Sequence, residues 1–540
     1  MIFHIAKNEF LNNLLSARFV IGFILCLFLV PFSILINIDD YRDQTNLYRL
    51  DRDAAEKAVK EVRVYSALRP EVVLPPEPLA VFSIGISGQV GHRVKILIGE
   101  KPMLAEEQAV ARENPFLAAF FSVDFVGIEA IILSLLALLF SYDAFSGEKE
   151  RGTLRLLMSN SLGRARFLAG KGIGILLTLF PILIFCFFLS AALILSSKNL
   201  KFSALAWDRL ALLALASLIY LTVFVFIGLF VSARSKTSVT SLTFCLFLWV
   251  FFIFIVPNLS GYFAESFIRI QARDNLNRVI DNLDNARRKK VEEFIRTLPE
   301  PESSYYTYLD YWSYSYGADG YKEMYGSMRS IFNHERRILA YSEPLRIDYA
   351  DKKWMLQKAY LDSLTRQAQI ADRISMISPS GLFRIVASAI CATDRSAYEK
   401  TMDAVRKYRE TFIGYLRGKD IFRSSLWLTP APPESFRTAD ENVAARTGGE
   451  FKTLQAYNSW AVQQKDVRER FLKLYKVKVP GESPDDYPYL DVGDMPGFPG
   501  SPISLLSGLE SGIVDLGLLA IEIVFLFYLC FVASLRYDVR

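Results

Sequence analysis

Six long runs of apolar residues divide the chain, and the polar stretches between them differ greatly in length. Each run can form a helix that crosses a hydrocarbon layer of about 30 Å, which takes about 20 residues. Because six is an even number, both ends of the chain should lie on the same side of the membrane. The predicted transmembrane spans are Phe19 to Ile38, Leu117 to Ser141, Gly172 to Leu195, Leu210 to Ser232, Val239 to Val256, and Gly512 to Ser534.

Basic residues in the short loops indicate which side that is, because Lys and Arg near span ends resist translocation. Lys198 and Lys201, between the third and fourth spans, give a weaker signal in the opposite sense. The first span is too long for a signal peptide and lacks a cleavage site, so it should remain as an anchor. We therefore expect both termini in the cytoplasm. The residues that indicate this are Lys7, Arg18, Lys149, Arg151, Arg155, Arg164, Arg166, Lys171, Arg234, Lys236, Arg536 and Arg540.

This topology leaves two polar segments outside the cytoplasm, one of them very large. The predicted fold is an α-helical polytopic membrane protein with six transmembrane helices and a mostly helical extracytoplasmic domain. Only one of the five cysteines, Cys391, lies outside the predicted spans, so the large segment should form its core without disulfides. The parts are an amphipathic N-terminal helix with span 1 (1–38), a first extracytoplasmic segment (39–116), spans 2 to 5 with a cytoplasmic loop at 142–171 (117–256), the large domain (257–511), and span 6 with the C-terminus (512–540).

Within the two outer segments, the spacing of apolar residues predicts individual elements. A helical period covers 276–298, 331–339, 352–377, 397–416 and 451–475, with Gly and Pro between these stretches. The first segment has a helical stretch from Asp53 to Leu68. It then has β-branched residues and glycines from Val81 to Gly99, which predict short strands or a hairpin.

Motifs for independent catalysis are not found in the sequence. The stretch GRARFLAGKG has the wrong glycine spacing for a nucleotide-binding loop, with Gly172 where a metal-binding hydroxyl belongs. His334 begins the motif HERRI, but Ile338 stands where the second zinc ligand would be. We therefore expect no catalytic residue, no metal site and no cofactor on this chain. The net charge of +5 is spread along the sequence, which argues against a nucleic-acid partner.

The stretch FSGEKERGTLRLLMSN, residues 145–160, is the most specific signal. Gly147 and Gly152 flank four charged residues, and a short helical stripe with Leu154 and Leu157 follows. Such a helix is too short to be stable alone and needs a surface to lie against. It is either a reversal at the membrane surface with a snorkelling basic face or a docking helix for a cytoplasmic partner.

A resemblance favours the docking helix. YDAFSGEKERGTLRLLMSNSLGRARFLAGKGIGI resembles the cytoplasmic loop of ABC-2 type transporter permeases, and IAKNEFLNNLLSARF is similar to their opening amphipathic helix, with Glu9 and Arg18 at matching places. SPSGLFRIVASAICATDRSAYEK also resembles a Pro-containing helix followed by Thr-Asp in such permeases. The resemblance covers residues 1–256 and 511–540. The large insertion departs from the compact pattern and looks like the branch with large extracytoplasmic domains.

The resemblance implies a permease subunit of an ATP-driven exporter in a bacterial inner membrane, which is not itself an enzyme. It implies a separate cytoplasmic ATPase that binds the ATP, and a second permease, either a copy or a paralogue. An extracytoplasmic partner protein is a further expectation. By matching position, the residues that contact the ATPase are Glu148, Glu150, Arg151, Gly152, Thr153, Leu154 and Leu157.

Ionisable residues inside spans are candidates for function because each is costly in hydrocarbon. Glu522 is the deepest, while Asp515, Glu129 and Asp124 lie nearer the outer boundary. For Glu522, a structural contact with another polar group or chain is favoured over contact with substrate.

Aromatic residues are concentrated at 303–325, where Tyr311 and Trp312 are candidates for contact with a glycan, peptide or partner protein. Packing of these side chains at the membrane interface is the other interpretation. Two further functions remain open at this stage. One is a membrane-anchored adaptor or sensor that binds a partner without transport, and the other is a membrane-embedded enzyme, for which no acid, base or metal set is evident.

Overall fold

Six helices in the part of the chain described by the computed structural model are long and apolar enough to cross a membrane. The described residues are 2–88, 90–104, 124–154, 163–197, 200, 202–305, 312–316, 321–464, 481, 483–500 and 505–535. Each helix contains the run predicted from the sequence, except that residues 117–123 of the second run lie outside the described residues and that span 6 is counted from Val514, within a helix that begins at Leu505. Spans 1 to 6 are Ala17–Lys60, Phe125–Glu150, Arg164–Ser196, Ala204–Arg234, Ser238–Phe267 and Val514–Ser534.

Helices dominate the remaining described residues too. Two of the spans are divided by π-helical turns, Glu129–Leu133 in span 2 and Phe251–Ile255 in span 5. The α-helices are α1 Ile2–Leu14, α2 Ala17–Lys60, α3 Phe125–Ile128, α4 Ser134–Ser141, α5 Ser146–Glu150, α6 Arg164–Ser196, α7 Ala204–Arg234, α8 Ser238–Val250, α9 Val256–Phe267, α10 Arg273–Ile295, α11 Arg329–Ser375, α12 Pro379–Cys391, α13 Arg395–Gly418, α14 Ala439–Arg446, α15 Leu454–Val462 and α16 Leu505–Leu535.

Two small antiparallel sheets complete the described structure. Strands β1 (Glu71–Val73) and β2 (Arg93–Lys95) form one, and β3 (Trp312–Tyr316) and β4 (Tyr321–Tyr325) form the other. The first sheet differs from the hairpin predicted within Val81 to Gly99, because β2 pairs with a strand that precedes this stretch. Residues 78–81 instead form a turn of 3₁₀-helix.

Span 1 is longer than its apolar run. Ser16 separates α1 from α2 and caps α2, since its hydroxyl accepts a hydrogen bond from the backbone N–H of Phe19. No helix-breaking pair follows the apolar run, and α2 continues as far as Lys60. The predicted helix from Asp53 to Leu68 is therefore the end of α2, and it stops eight residues early.

Span 4 lies at the centre of the span bundle. It packs against α4 of span 2, against span 6 and against α12, which begins at the predicted breaker SPSG. Ser378 caps α12 and Pro379 occupies its first turn, where a missing N–H has no cost. The rings of Phe383 in α12 and Tyr220 in span 4 stack with their centroids 4.3 Å apart. The helix α12 therefore shares the apolar core of the spans.

The π-helical turns are held by side chains from neighbouring elements. A π-turn leaves carbonyl groups without their usual helical partner. In span 2, the Tyr220 hydroxyl donates to the carbonyl of Ala130 at 2.8 Å. In span 5, the hydroxyls of Ser378 and Ser380 donate to the carbonyl of Phe252 at 2.5 and 2.8 Å. The start of α12 is thus hydrogen-bonded directly to span 5.

The helical domain, residues 268–500 between spans 5 and 6, builds its main core together with the segment between spans 1 and 2. Met402, Val405 and Phe412 of α13 pack against residues such as Tyr65 and Val94. Arg409 is fully buried there, and its guanidinium donates to the carbonyls of Leu97, at 2.8 Å, and of Ile98. The domain was expected to bury a core of its own, and the structure shows that this core is shared.

Two further predictions for the domain are corrected in part. The helices expected at 331–339 and 352–377 form one 47-residue helix, α11, which continues through Pro344. The helix expected at 451–475 is described as α15, from Leu454 to Val462, and residues 465–480 lie outside the described part. The helices expected at 276–298 and 397–416 are confirmed as α10 and α13.

The close approach of spans 2 and 4 at Gly228 gives a first prediction. A Cβ added at Gly228 would lie 2.8 Å from Cβ of Ser141, whereas one added at Gly261 of span 5 meets nothing within 4 Å. Gly228→Ala should therefore destabilise the purified protein by about 1 to 3 kcal/mol through overpacking. Gly261→Ala is the matched control and should be neutral or stabilising by up to about 1 kcal/mol. Thermal unfolding in detergent measures both, and equal effects of the two changes would contradict this packing.

Candidate functional site

All six span helices reach one end of the bundle together with α1, and α5 is the end of span 2 there. We call this end the basal face, formed by residues 2–18, 142–154, 163–174, 232–241 and 534. Charged residues of the predicted loop lie here, close to the exposed ends of the span helices. The basal face is therefore where the loop could act on the spans.

The N-terminal helix α1 lies flat against the start of span 3. Two glycines one helical turn apart, Gly170 and Gly174, provide the space for it. A Cβ at Gly174 would lie 2.6 Å from Cβ of Glu9 and 2.7 Å from the carbonyl oxygen of Ala6. Small residues at this spacing allow helices to approach closely. The glycines thus bring Glu9 against span 3.

Lys171, between these glycines, is bonded to two carboxylates at once. Its Nζ donates to Oε2 of Glu9 at 2.7 Å and to Oε1 of Glu148 at 3.1 Å. The Lys171 and Glu9 side chains are only 8% and 9% exposed. The other carboxylate oxygen of Glu148 accepts a hydrogen bond from the hydroxyl of Thr153. We call Glu9, Glu148 and Lys171 the basal triad, and it joins α1, α5 and span 3.

Burial sets the electrostatic balance of the triad. Desolvation raises the pKa of Glu9, while the charge of Lys171 and its hydrogen bond lower it. The pKa of Glu9 remains above its usual value, because burial outweighs the attraction of Lys171. A buried charge is tolerated only when it is paired, so the lysine and its two carboxylates depend on one another.

The neighbouring charges of α5 bind the ends of spans 4 and 5. Lys149 donates to the carbonyls of Ala233 and Ser235, at 2.5 and 3.0 Å, where span 4 ends. Glu150 accepts from the backbone N–H and the hydroxyl of Ser238, at 3.0 and 2.7 Å, where span 5 begins. A cation at a helix C-terminus and an anion at an N-terminus also match the helix dipoles. Both residues therefore fasten α5 to the turn between spans 4 and 5.

Two arginines attach the remaining spans to the same face. Arg18 of span 1 donates to Asp143 at 3.0 Å and to the hydroxyl of Tyr142 at 2.7 Å. Arg164 of span 3 donates to the carbonyl of Ser534 at 2.8 Å, near the end of span 6. All six spans are thus connected to one another at the basal face.

The structure separates the residues predicted for ATPase contact into two groups. Glu148, Glu150 and Thr153 make the internal bonds described above, and Leu154 is 2% exposed within the core of the spans. Arg151 and Gly152 are exposed, and so is Glu150 although it is bonded to Ser238. Gly152 has a positive φ of 73°, which favours glycine. Leu157 lies outside the described residues.

Sequence reasoning missed the partners of these residues. Glu9 was noted only as a point of resemblance, and Lys171 and Lys149 only as basic residues of a loop. The sequence did contain a signal for Lys171. A lysine that begins an apolar span needs a carboxylate partner, and glycines beside it allow another helix to bring one close.

The four ionisable residues predicted inside the spans do not form one cluster. Glu129 is 1% exposed; one of its oxygens accepts from the hydroxyl of Ser217 at 2.8 Å, and the other has no partner in the described part of the chain. Asp124 caps α3, and with Asp515 it lines a cavity below the helical domain. Glu522 lies apart from them in span 6, with Oε2 buried and unpaired among the described residues. Their functional roles stay predictions.

The aromatic residues predicted for ligand contact are only partly covered by the structure. Tyr311 lies outside the described residues, and Trp312 begins β3, where it pairs with Tyr325 of β4. Among the described residues, no group of three or more His, Cys, Asp or Glu side chains could hold a metal ion.

Six apolar helices and a shared helical domain define a multi-pass membrane protein. A family model described as ABC-2 family transporter protein matches residues 3–429, well over half of the chain, and the chain belongs to this family. The match continues beyond residue 256, where the resemblance noted in the sequence stops, and so includes α10 to α13. Much of the helical domain is therefore part of the family pattern.

Two relatives are similar over shorter stretches. The probable ABC transporter permease protein NosY of Stutzerimonas stutzeri is 39% identical over 85 residues, which are 15% of this chain and 31% of that protein. The protein of the same name from Pseudomonas aeruginosa is 34% identical over 131 residues, which are 24% of this chain and 46% of that protein. The chain thus spans less than half the length of each of these relatives.

The basal triad gives a second prediction. Lys171→Met leaves the buried carboxylate of Glu9 and the half-buried carboxylate of Glu148 without their cation, which should destabilise the protein by about 3 to 5 kcal/mol. Adding Glu9→Gln should restore part of that loss, because it removes one of the two unpaired charges. Thermal unfolding of the single and double variants measures this coupling. Strictly additive effects of the two substitutions would show that Glu9 and Lys171 do not interact.

Proposed function

We propose that this chain is the permease subunit of an ATP-driven exporter, and that a separate cytoplasmic ATPase docks on its basal face. The observation that carries this proposal is the bonding of α5. This short helix has side-chain bonds to span 3, to span 4 and to span 5. A force applied to such a helix reaches several spans at once.

In this proposal, the residues predicted for ATPase contact have two roles: some position α5, and others contact the ATPase. Glu148 and Glu150 hold α5 in place, and Leu154 anchors the following turn in the core of the spans. Arg151 and Gly152 face outward and, with the exposed Glu150, are the part of the segment that an ATPase can contact first. Leu157 belongs to the docking surface by its place in the motif.

The bonds at the basal face also suggest how ATP binding changes the spans. Closure of two ATPases around ATP would displace the two docked segments. Because α5 is bonded to the ends of spans 4 and 5 and, through the triad, to α1 and span 3, these elements would move as one unit. The free energy available for this movement is the difference between the ATPase binding free energies of the two arrangements of the spans.

The complete transporter then needs two permeases and two ATPases, since one chain offers one such segment. The second permease is an identical copy or a paralogue. The basal face with both termini lies in the cytoplasm of a bacterial cell, and the helical domain lies outside its inner membrane. ATP is bound by the partner subunit, and this chain has no enzymatic step of its own.

Docking is tested by variants of Arg151, which is exposed, and of Leu157, which the motif places in the docking surface. Arg151→Glu and Leu157→Asp should reduce ATPase affinity on the order of thirtyfold, because one reverses an interfacial charge and the other places a carboxylate in an apolar cleft. Both variants should reach the membrane at normal levels. Copurification of the ATPase and substrate-stimulated hydrolysis are the measurements.

The matched control for Arg151→Glu is Lys289→Glu, an equally large charge change at an exposed position of α10 in the helical domain. It should leave ATPase binding unchanged. Full ATPase association and transport by both basal-face variants would exclude docking here and favour a membrane-anchored adaptor or sensor.

Sidedness is tested with single cysteines. All five native cysteines are buried, so a membrane-impermeant thiol reagent should label the native chain poorly. In intact cells without an outer barrier, Ser303→Cys in the helical domain should be labelled from outside. Arg151→Cys should be labelled only after the cells are opened. Outside labelling of Arg151→Cys would reverse the orientation and remove the basal face from the reach of an ATPase.

A further inference from the structure

A cavity of about 450 Å³ lies between the helical domain and the ends of the spans. Its floor includes Asp124, which caps α3 of span 2, and Asp515, in the half of α16 that lies away from the basal face. Its walls are formed by the end of α11, by α12 and by the start of α13. A cavity of this size is in the range that binds small ligands. From Ser534 at the basal face, α16 rises about 30 Å to Asp515, which is about the thickness of the hydrocarbon layer, so the cavity is at the depth of the lipid headgroups on the other side.

Most charged groups of the cavity are already satisfied by the protein. Asp372 is paired with Arg395 at 3.0 Å. Asp124 accepts from the backbone N–H groups of Gly127 and Ile84 at 2.7 and 3.1 Å. These groups shape the cavity and leave little charge for a ligand.

Two charged residues of the cavity, of opposite sign, have no such partner. Asp515 of span 6 and Arg373 of α11 both line the cavity. Neither forms a hydrogen bond or an ion pair with any residue that the structure describes; Asp515 is half-buried and Arg373 is exposed, so a ligand can reach both. A ligand that satisfied both would carry a cation that donates hydrogen bonds and an anion that accepts them.

The surroundings of the cavity are apolar on the side of the spans. Ile377 follows Met376, which lines the cavity, and is 67% exposed. Val514 precedes Asp515 and is 66% exposed. Large apolar side chains exposed beside a polar cavity at this depth are suited to contact acyl chains. The ligand therefore combines a zwitterionic head with a hydrocarbon tail.

We propose that this cavity binds the headgroup of an aminophospholipid, with its primary ammonium on Asp515 and its phosphate on Arg373. A choline headgroup fits less well, since its quaternary nitrogen has no N–H to donate to Asp515. A glycerol headgroup lacks the cation altogether. This site is independent of ATPase docking and goes beyond the transport function proposed above.

Binding is tested on the full chain in detergent by native mass spectrometry, with phosphatidylethanolamine, phosphatidylcholine and phosphatidylglycerol of equal acyl chains. Phosphatidylethanolamine should bind at least tenfold more tightly than the other two. Asp515→Asn and Arg373→Gln should each remove most of that preference, and the double variant should lose no more than the stronger single one. Because each substitution is tested separately, failure of one variant to fold leaves the other as the test.

Glu265→Gln and Arg273→Gln are the matched controls, with the same charge changes at exposed positions outside the cavity, and both should bind like the unmodified chain. Equal affinity for the three lipids, or an intact preference in both cavity variants, would overturn the proposal. Displacement of the lipid by free phosphoethanolamine at equal concentration would also overturn it, because the ligand would then be a soluble zwitterion.

Discussion

The ion pairs of Lys171 are the interaction on which the basal face depends. Without a cation at this position, a buried and a half-buried carboxylate would face each other between α1, α5 and span 3, which is a costly arrangement in a protein. With the cation, the same three charges hold together elements that are far apart in sequence. The glycines on either side of Lys171 make this possible, because they let α1 approach closely enough for Glu9 to reach the ammonium group.

Residues of α5 illustrate how far sequence reasoning reaches. The motif identified Glu148 and Glu150 as candidates for ATPase contact. Charge alone does not tell whether a residue contacts a partner protein or bonds to residues of its own chain. Their bonding partners, Lys171 and Ser238, are 23 and 88 residues away along the chain. Only folding brings them together, so the division between inward and outward residues could not be read from the loop.

Elsewhere, helices and strands were predicted correctly where the local spacing of apolar residues was clear. The spans were found because long apolar runs form helices in almost any context. The helix α13 was found from its clear 3.6-residue period. The pairing of β1 with β2 was missed because three residues carry too little pattern to mark a strand, and the pairing is set by the core around Val72 and Val94. That core also joins two segments that the spans separate in sequence, which no local pattern reveals.

The π-helical turn in span 2 has a consequence for the direction in which α4 faces. Such a turn contains one residue more than the α-helix it interrupts, and each residue of an α-helix advances by about 100° around the axis. The side chains of α4 are therefore rotated by that angle relative to an uninterrupted helix. Ser141, at the end of α4, lies against Gly228 of span 4 in the orientation that this rotation gives. The extra residue at Glu129–Leu133 thus helps to set which side of span 2 faces span 4.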